Sequence, residues 1–324
     1  MQLSNQPHVQ LSLQLLLNVY YFVKPAIPYS MRLALRRAAA TPIRAAYAST
    51  WPINEASAKR PDEWPGWPDG KRLAIALTHD VEGRRGLERC RQLAELEIRL
   101  GLRSTFMFVP EGEYETPADL RAYLTSHGFE VGVHDLHHDG SLYTSRRAFE
   151  AQAATINRYL AEWRAVGFRS GFMRHNLTWL KQLNVLYDAS TFDSDPFEPQ
   201  PDGMNTIFPC WVPRSDGSGY VELPYTLAQD STLFLVLRER GNDIWKRKLD
   251  WVASHGGMAL LDTHPDYMSF TGAGGSAEYP VALYEDFLRH ALERYREQAW
   301  FATAREVAEY YSRTYARLPQ PVAI

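Results

Sequence analysis

From Lys71 onward, short apolar segments alternate with segments of helical periodicity, and this alternation limits the folds open to the chain. Eight apolar segments of strand length follow one another at residues 72–78, 104–109, 130–134, 168–172, 185–190, 220–223, 258–263 and 299–302. Strands that are apolar along their whole length are buried on both faces, which is typical of parallel sheets. Seven or eight strands over about 240 residues suit a closed barrel better than an open sheet, so we predict an α/β barrel.

Segments with helical spacing lie between these strands. We predict helices at residues 86–100, 117–127, 145–166, 242–255, 280–297 and 304–317. In the segment 145–166 apolar residues recur every three or four positions, the pattern of one buried helix face. No Gly-x-Gly-x-x-Gly follows the first strand, which counts against a dinucleotide-binding sheet.

The composition is that of a globular protein. Of the 324 residues, 45% are hydrophobic and 23% are charged, which provides for a sizeable core and excludes a disordered chain. A net charge of −3 argues against a nucleic-acid-binding protein, for which a basic domain is expected. Two cysteines, Cys90 and Cys210, cannot form a disulfide framework and suit a reducing compartment. We therefore predict a cytoplasmic protein.

The first 50 residues differ from the rest in charge. They contain Lys24 and four arginines but no acidic residue, and residues 11–23 form an apolar run. This run is shorter than the ~20 residues that a membrane-spanning helix needs, and the basic residues follow it, unlike those of a secretory signal. We predict that residues 1–50 form a helical extension packed on the main domain. The alternative is peripheral contact of this extension with an anionic membrane surface.

Residues 51–70 are rich in proline, glycine and tryptophan, which predicts a connector without regular structure. We expect Trp51, Trp64 and Trp67 to order this connector by packing on the main domain. The predicted organisation is thus an extension at 1–50, a connector at 51–70 and a barrel at 71–317.

Polar side chains stand at the carboxyl ends of three predicted strands, where barrels of this type place their chemistry. His79 and Asp80 follow the first strand, His134 and His138 end the third, and His264 follows the strand at 258–263. A spacing of four lets His134 and His138 face one point. Asp80 completes a set of two histidines and one carboxylate, which leaves coordination positions for water and a substrate carbonyl. A polar cluster without metal is the alternative.

Three motifs in this order resemble the polysaccharide deacetylase (NodB-homology) superfamily, carbohydrate esterase family 4. They are Thr-His-Asp at 78–80, His-x-x-x-His at 134–138 and Leu-Asp-Thr-His-Pro at 261–265, and the resemblance covers about residues 70–310. It implies an irregular (β/α)7 barrel and the removal of acetyl groups from amino sugars with one divalent metal ion. By this resemblance Asp80, His134 and His138 bind the metal, and His264 is the general acid. We expect Zn²⁺, although Co, Ni, Mn or Fe would suit the same ligands.

Two of the family's motifs are altered. The first usually reads Thr-Phe-Asp-Asp, and its first Asp is the general base; this chain has His79 there. The third, Arg-x-Pro-x-Gly, corresponds to residues 169–173, which lack the proline and the final glycine. We take His79 as the general base, with Glu82 or Asp193 as alternatives. His79 could instead support Asp80 by a hydrogen bond.

Other polar residues near predicted strand ends are less specific candidates. Arg169 is assigned a catalytic role, that of holding the base, with Arg174 as its competitor. Asp188 resembles the acid of the family's fourth motif, for which Asp193 and Asp195 compete. Residues that could line the substrate site or support the metal ligands are Glu82, Asp188, Asp193 and Glu222. An ordinary salt bridge is an equal alternative for Glu222.

These observations predict a metal-dependent hydrolase that deacetylates an N-acetylated sugar or glycan through a metal-activated water. One alternative is a carbohydrate-binding relative without activity, because the usual base is missing. The other is an amidohydrolase acting on a small non-sugar amide of the ureide type. With the basic extension, a lipid-linked glycan precursor at the cytoplasmic face of a membrane is an attractive substrate class. We expect no nucleic-acid partner.

Overall fold

The computed structural model describes residues 27–200, 202–272, 274–275 and 277–314. Its α-helices are α1 (Tyr29–Ala46), α2 (Arg84–Leu100), α3 (Ala118–Ser126), α4 (Arg146–Trp163), α5 (Leu177–Leu180), α6 (Asp243–His255), α7 (Ala282–Tyr295) and α8 (Ala304–Thr314). Its strands are β1 (Leu73–Val81), β2 (Thr105–Phe108), β3 (Glu130–His134), β4 (Gly167–Arg169), β5 (Tyr187–Asp188), β6 (Cys210–Pro213), β7 (Gly219–Glu222), β8 (Met258–Thr263), β9 (Met268–Ser269), β10 (Tyr279–Pro280) and β11 (Ala299–Ala302).

The main sheet is parallel apart from one edge strand. β1 pairs with β8 along one edge and with β11 and then β2 along the other. From β2 the sheet continues through β3, β4 and β5 to β7, beside which β6 runs antiparallel. The segment after β7 returns to β8, where Leu227 forms a parallel bridge with Leu261. The sheet therefore curls into an irregular barrel of the (β/α)7 type, which confirms the predicted fold class.

All eight predicted strands and all six predicted helices overlap an observed element. The main difference lies in β1, which continues to Val81 instead of ending at Thr78. The antiparallel β6 was not predicted, because residues 210–213 carry no alternating apolar pattern. The longer β1 matters most, because the side chains of residues 79–81 then point alternately to the two faces of the strand.

Burial of β1 on both faces explains its composition. Each of its nine residues is buried, because β8, β2 and β11 flank it and helices cover the outside of the barrel. On α4 the buried residues are Phe149, Ala153, Ile156 and Leu160, which are the residues that the helical periodicity marks as apolar. The core therefore forms where the sequence pattern indicates.

The N-terminal extension is described from Ile27 onward, so the apolar run at 11–23 lies outside the described residues. α1 packs on the barrel through Leu33 and Ala40, which join Leu235 and Val236 in one apolar cluster. Arg44 on the same helix forms an ion pair of 2.6 Å with Glu239. No helix in the described part of the chain is long and apolar enough to cross a membrane.

The tryptophans of the connector pack on the barrel, as predicted. Trp51 and Trp67 are buried, and Trp64 lies edge-on against Trp67 with ring centroids 4.9 Å apart. The indole N–H of Trp67 donates a hydrogen bond of 2.8 Å to the carbonyl oxygen of Gly256. Aromatic contacts thus fix a segment that has only two short turns of 3₁₀ helix.

Gly167 in β4 tests how tightly the barrel interior is packed. A Cβ at this position would lie 2.0 Å from Cζ of the buried Tyr187, so Gly167→Ala should lower the free energy of unfolding by about 1–3 kcal/mol or more. Gly241→Ala is the control, because its Cβ would meet only Asp243 Oδ2 at 3.8 Å and should cost less than about 0.5 kcal/mol. Chemical denaturation measures both, and equal costs would contradict the described packing.

Candidate active site

Alternation along β1 and just beyond it places Thr78, Asp80 and Glu82 on one side of the strand. Thr78 and Asp80 both contact Nη1 of Arg169, at 2.9 Å each. Glu82 follows the strand, and its Oε1 lies 3.1 Å from Nε2 of His138. The polar end of β1 therefore faces the ends of β3 and β4.

Arg169, the last residue of β4, connects several strand ends from a fully buried position. In addition to its contact with Asp80, Nη1 donates a hydrogen bond of 2.6 Å to Asp262 on β8, and Nε donates one of 2.8 Å to the carbonyl of Ala189. Burial raises the pKa of the Asp262 carboxyl well above its usual range, even though the charge of Arg169 acts to lower it. In Asp80 burial also raises the pKa, but the charge of Arg169 and its hydrogen bond outweigh it and lower that pKa below its usual range.

The hydrogen bonds of His134 determine its tautomer. Nδ1 lies 3.1 Å from the carbonyl oxygen of Arg169, which can only accept, so Nδ1 carries the proton. Burial lowers the pKa of His134, and the ring is neutral. Its Nε2 is buried without a hydrogen-bond partner among the described residues and faces Oδ2 of Asp80 at 3.7 Å. Two lone pairs therefore point at each other.

His138 and Glu82 form the more accessible part of the site. Their side chains are 12% and 22% exposed, compared with 2% and 3% for His134 and Asp80, so a substrate would approach from their side. The hydroxyl of Tyr267 donates a hydrogen bond of 2.6 Å to Oε2 of Glu82. Although burial raises the pKa of Glu82, His138 and then His264 outweigh it and hold that pKa well below its usual range.

His264 is held by a carboxylate on its far side. Nδ1 lies 2.7 Å from Oδ1 of Asp230, whose Oδ2 accepts from the backbone N–H of His264 at 2.8 Å. Nε2 therefore faces the site, 3.8 Å from Oε1 of Glu82. Burial lowers the pKa of His264, but the charge of Asp230 outweighs it and raises that pKa well above its usual range. A protonated imidazole thus stands opposite an ionised carboxylate.

Six side chains of the site fall into two groups that could hold a cation. Glu82, His134 and His138 have ligand atoms within 4.8 Å of one another, and so do Asp80, Asp262 and His264. The predicted metal ligands Asp80, His134 and His138 are divided between these groups, although Asp80 and His134 face each other. The unpartnered Nε2 of His134 and the facing Oδ2 of Asp80 are atoms that could both ligate a metal ion placed between them.

The loop after β4 closes against His138. Gly171 approaches so closely that a Cβ would lie 2.6 Å from Oδ2 of Asp135 and 2.9 Å from Cδ2 of His138. Phe172, with φ of 59°, places its ring 4.3 Å from that of His138. A positive φ is costly for phenylalanine, so the loop holds this ring in place against a candidate ligand. This is where the sequence departs from Arg-x-Pro-x-Gly.

His79 lies on the other face of β1. Its Nε2 is 2.9 Å from Oε1 of Glu97 and its Nδ1 is 2.8 Å from the hydroxyl of Thr263, and the side chain is fully buried. Neighbouring residues of a strand point to opposite faces, so His79 cannot share the side of Asp80. This placement corrects both predicted roles, that of general base and that of support for Asp80.

Asp188 and Glu222 lie at the paired ends of β5 and β7. Burial raises the pKa of both carboxyls, and the charge of Asp188 raises that of Glu222 further. The hydroxyl of Ser190 donates to Asp188 at 2.7 Å, and that of Thr191 donates to Glu222 at 2.5 Å. Neither acid belongs to the two candidate cation groups. Both lie in paired strands of the barrel wall, away from those groups.

The remaining candidates have structural partners. Asp193 forms a buried ion pair of 2.6 Å with Lys248 on α6, which excludes it as the base. Asp195 accepts a hydrogen bond of 3.0 Å from the hydroxyl of Tyr225, and burial together with Glu198 raises its pKa to about 8. Arg174 donates to the carbonyls of Gly140 and Tyr143. Of the two arginines, only Arg169 contacts the carboxylates of the site.

Sequence reasoning missed three residues that contact the site: Asp230, Asp262 and Tyr267. Asp262 could have been found, because it stands two positions before His264 in a strand and alternation puts both on one side. Asp230 lies between β7 and β8 outside any motif, and Tyr267 lies in a turn of 3₁₀ helix after β8. For these two the sequence offers no signal, since only the folded chain brings them to His264 and Glu82.

Comparison with known proteins identifies the fold. No family model and no curated protein sequence matches the chain. Three solved structures match at a TM-score of 0.59: one described as a polysaccharide deacetylase from Mycobacterium smegmatis, PuuE allantoinase, and one described as a polysaccharide deacetylase from Pseudomonas aeruginosa. They are 17%, 17% and 18% identical to this chain and cover 78%, 79% and 79% of it, and the match spans 94%, 96% and 96% of their own lengths. The chain thus shares its barrel fold with these proteins, and the match covers almost the whole length of each of them.

Proposed function

We propose that the protein is a metal-dependent deacetylase that acts on an N-acetylated sugar or glycan. The observation that carries this proposal is the unprotonated Nε2 of His134, which faces Oδ2 of the ionised Asp80 at 3.7 Å. Burial of two such acceptors against each other without a partner is unfavourable, and a cation ligated by both would remove this cost. The shared fold and the order of the three sequence motifs support the same reaction class.

Asp80, His134 and His138 would hold one divalent ion, with Zn²⁺ as the first candidate for two imidazoles and a carboxylate. Such an ion, when bound, polarises a carbonyl oxygen and lowers the pKa of a water molecule. Arg169 fixes Asp80 through Oδ1 at 2.9 Å and leaves Oδ2 toward His134. The carbonyl of Arg169 fixes the tautomer of His134, so one residue orients two of the three ligands.

Glu82 and His264 are suited to move the two protons of amide hydrolysis. Glu82 is ionised and the more accessible of the two carboxylates, so it can take a proton from the attacking water. His264 is protonated and faces Glu82 at 3.8 Å, so it can deliver a proton to the departing nitrogen. Groups whose pKa values are displaced in opposite directions are typical of an acid–base pair. Glu82 thereby replaces His79 in the proposed mechanism.

A small non-sugar amide of the ureide type is the second candidate substrate. PuuE allantoinase matches with the same TM-score as the two polysaccharide deacetylases, and its name assigns it a ureide. The same metal ligands and acid–base pair would serve either amide, because both reactions need attack of water on a carbonyl carbon.

Release of acetate from N-acetylated sugars, measured beside hydrolysis of allantoin, tests the proposed reaction. We expect acetate and a free amine from at least one sugar in the presence of Zn²⁺, and loss of this activity with a chelator. Hydrolysis of allantoin alone would favour the second candidate. Binding of acetylated sugars without any turnover would contradict the proposal and favour a carbohydrate-binding protein.

The variants Asp80→Asn and Glu82→Gln separate metal binding from proton transfer. We expect Asp80→Asn to lose the bound metal, because the amide cannot replace the charged ligand. Glu82→Gln should keep about one equivalent of metal while kcat falls ~10²–10⁴-fold, the usual contribution of a general base. Elemental analysis and acetate release measure the two effects, with the exposed Glu150→Gln as control. Metal loss in Glu82→Gln and retention in Asp80→Asn would make Glu82 the ligand.

Asp230→Asn tests the protonated state of His264. The rate should depend on pH as a bell, whose basic limb reflects loss of the proton from the acid–base pair. Because the charge of Asp230 raises the pKa of His264, its removal should lower that pKa and move the basic limb to lower pH. The acid limb, set mainly by Glu82, should stay. Asp119→Asn, at an exposed position, is the control, and an unmoved basic limb in Asp230→Asn would refute the role of His264.

A further inference from the structure

The outward face of α1 is apolar, which is unusual for a helix on a protein surface. α1 packs on the barrel through Leu33 and Ala40. By the helical period, the opposite side carries Met31, Leu35, Ala38, Pro42 and Ala45, and all five are exposed. Met31 and Leu35 are 54% and 58% exposed. This side of α1, defined by these five residues and here called the outer face, contains no charged residue.

Exposed large hydrophobic side chains concentrate on this segment. Among the described residues they are Tyr29, Met31, Leu35, Tyr47 and Ile98, and only Ile98 lies outside α1 and the residue that follows it. Apart from Ile98, the large hydrophobic side chains elsewhere in the described part of the chain are at least partly buried, whereas those of this segment are exposed. Clustering of this kind marks a surface that contacts something else.

The charged residues of α1 itself are all basic. By the helical period Arg32 lies beside the outer face and Arg36 lies closer to the barrel, where its charge acts on Glu198; neither forms an ion pair among the described residues. Nε of Arg32 is buried without a hydrogen-bond partner among the same residues. Residues 1–50 contain five basic residues and no acidic one. An apolar face on a helix whose charged residues are all basic is complementary to a surface that is both apolar and anionic.

We propose that the outer face of α1 docks on an anionic lipid bilayer. A second copy of the chain is a poorer occupant, because two heads that each carry five positive charges would repel each other. Residues 1–26 are also a poorer occupant, because they add Lys24 and no acid and leave the arginines uncompensated. A bilayer accepts Met31 and Leu35 among its acyl chains and the arginines among its phosphates.

Docking would place the candidate active site beside the lipid headgroups. Leu33 on the inner side of α1 belongs to an apolar cluster against which Tyr267 packs, and Tyr267 donates its hydrogen bond to Glu82. Partial burial and then the charge of Glu82 raise the pKa of Tyr29 at the start of α1. The accessible side of the site thus lies near the docked helix. The consequence for substrates, an acetylated glycan carried by a lipid, rests on the proposed deacetylase function.

Flotation of the full-length protein with vesicles tests the docking itself. We expect binding to vesicles of phosphatidylcholine with phosphatidylglycerol, weak binding to phosphatidylcholine alone, and a loss of binding at high salt. Met31→Asp/Leu35→Asp should reduce binding to the anionic vesicles about tenfold or more, since it removes two apolar contacts and adds two like charges to those of the lipid. Ile98→Asp, which changes the exposed hydrophobic residue outside α1, is the matched control and should bind as the wild type does.

Three results would overturn the proposal. The first is a wild type that does not float with anionic vesicles, or an Ile98→Asp variant that loses as much binding as the double variant. The second is a double variant that, without vesicles, is destabilised per substitution far more than Ile98→Asp, which would mean that the outer face is already buried within the protein. The third is a dimer that the double variant dissociates, seen by light scattering. Acetate release from a soluble acetylated sugar is measured in parallel, so a failure of docking is distinguishable from a failure of catalysis.

Discussion

The site depends on the buried guanidinium of Arg169. The guanidinium contacts Asp80 and Asp262 and so joins β4 to β1 and β8. The backbone carbonyl oxygen of Arg169 accepts a hydrogen bond from His134 on β3. A buried carboxylate is costly unless it is paired and hydrogen-bonded, so without this cation Asp80 and Asp262 could not both stay in the barrel. One side chain therefore makes this acidic cluster compatible with the buried interior of the barrel.

The charges of the side chains around Arg169 determine which reactions the site could support. Arg169 offsets the negative charge of Asp80, the raised pKa of Asp262 favours its neutral form, and Glu82 adds a negative charge on the accessible side. Asp230 meanwhile holds a proton on His264. An excess of negative charge beside two imidazoles suits the divalent cation that we propose, and the proton on His264 suits the proposed protonation of a leaving group. In the proposed mechanism, the side chains that would hold the cation are thus separate from His264, which would donate the proton.

Much of this arrangement can be predicted from the sequence, and the part that cannot has a physical cause. Apolar segments and helical spacing predict the barrel, because burial on both faces leaves a direct trace in composition. The positions of His134, His138 and His264 follow from the ends of those segments. The error concerned His79: β1 was predicted to end at Thr78, and its true length turns His79 toward Glu97. Asp230 leaves no trace in sequence, since only the fold brings it to His264.

The central claim, that Asp80, His134 and His138 share a divalent ion, is tested most directly by crystallography. Crystals of the protein grown without chelator and with Zn²⁺ would be measured at the zinc absorption edge. The account predicts one anomalous peak within coordination distance of Oδ2 of Asp80 and Nε2 of both histidines, ~2.0–2.2 Å from each. A peak bound by Glu82 in place of Asp80, or no peak beside His134 at saturating zinc, would contradict it.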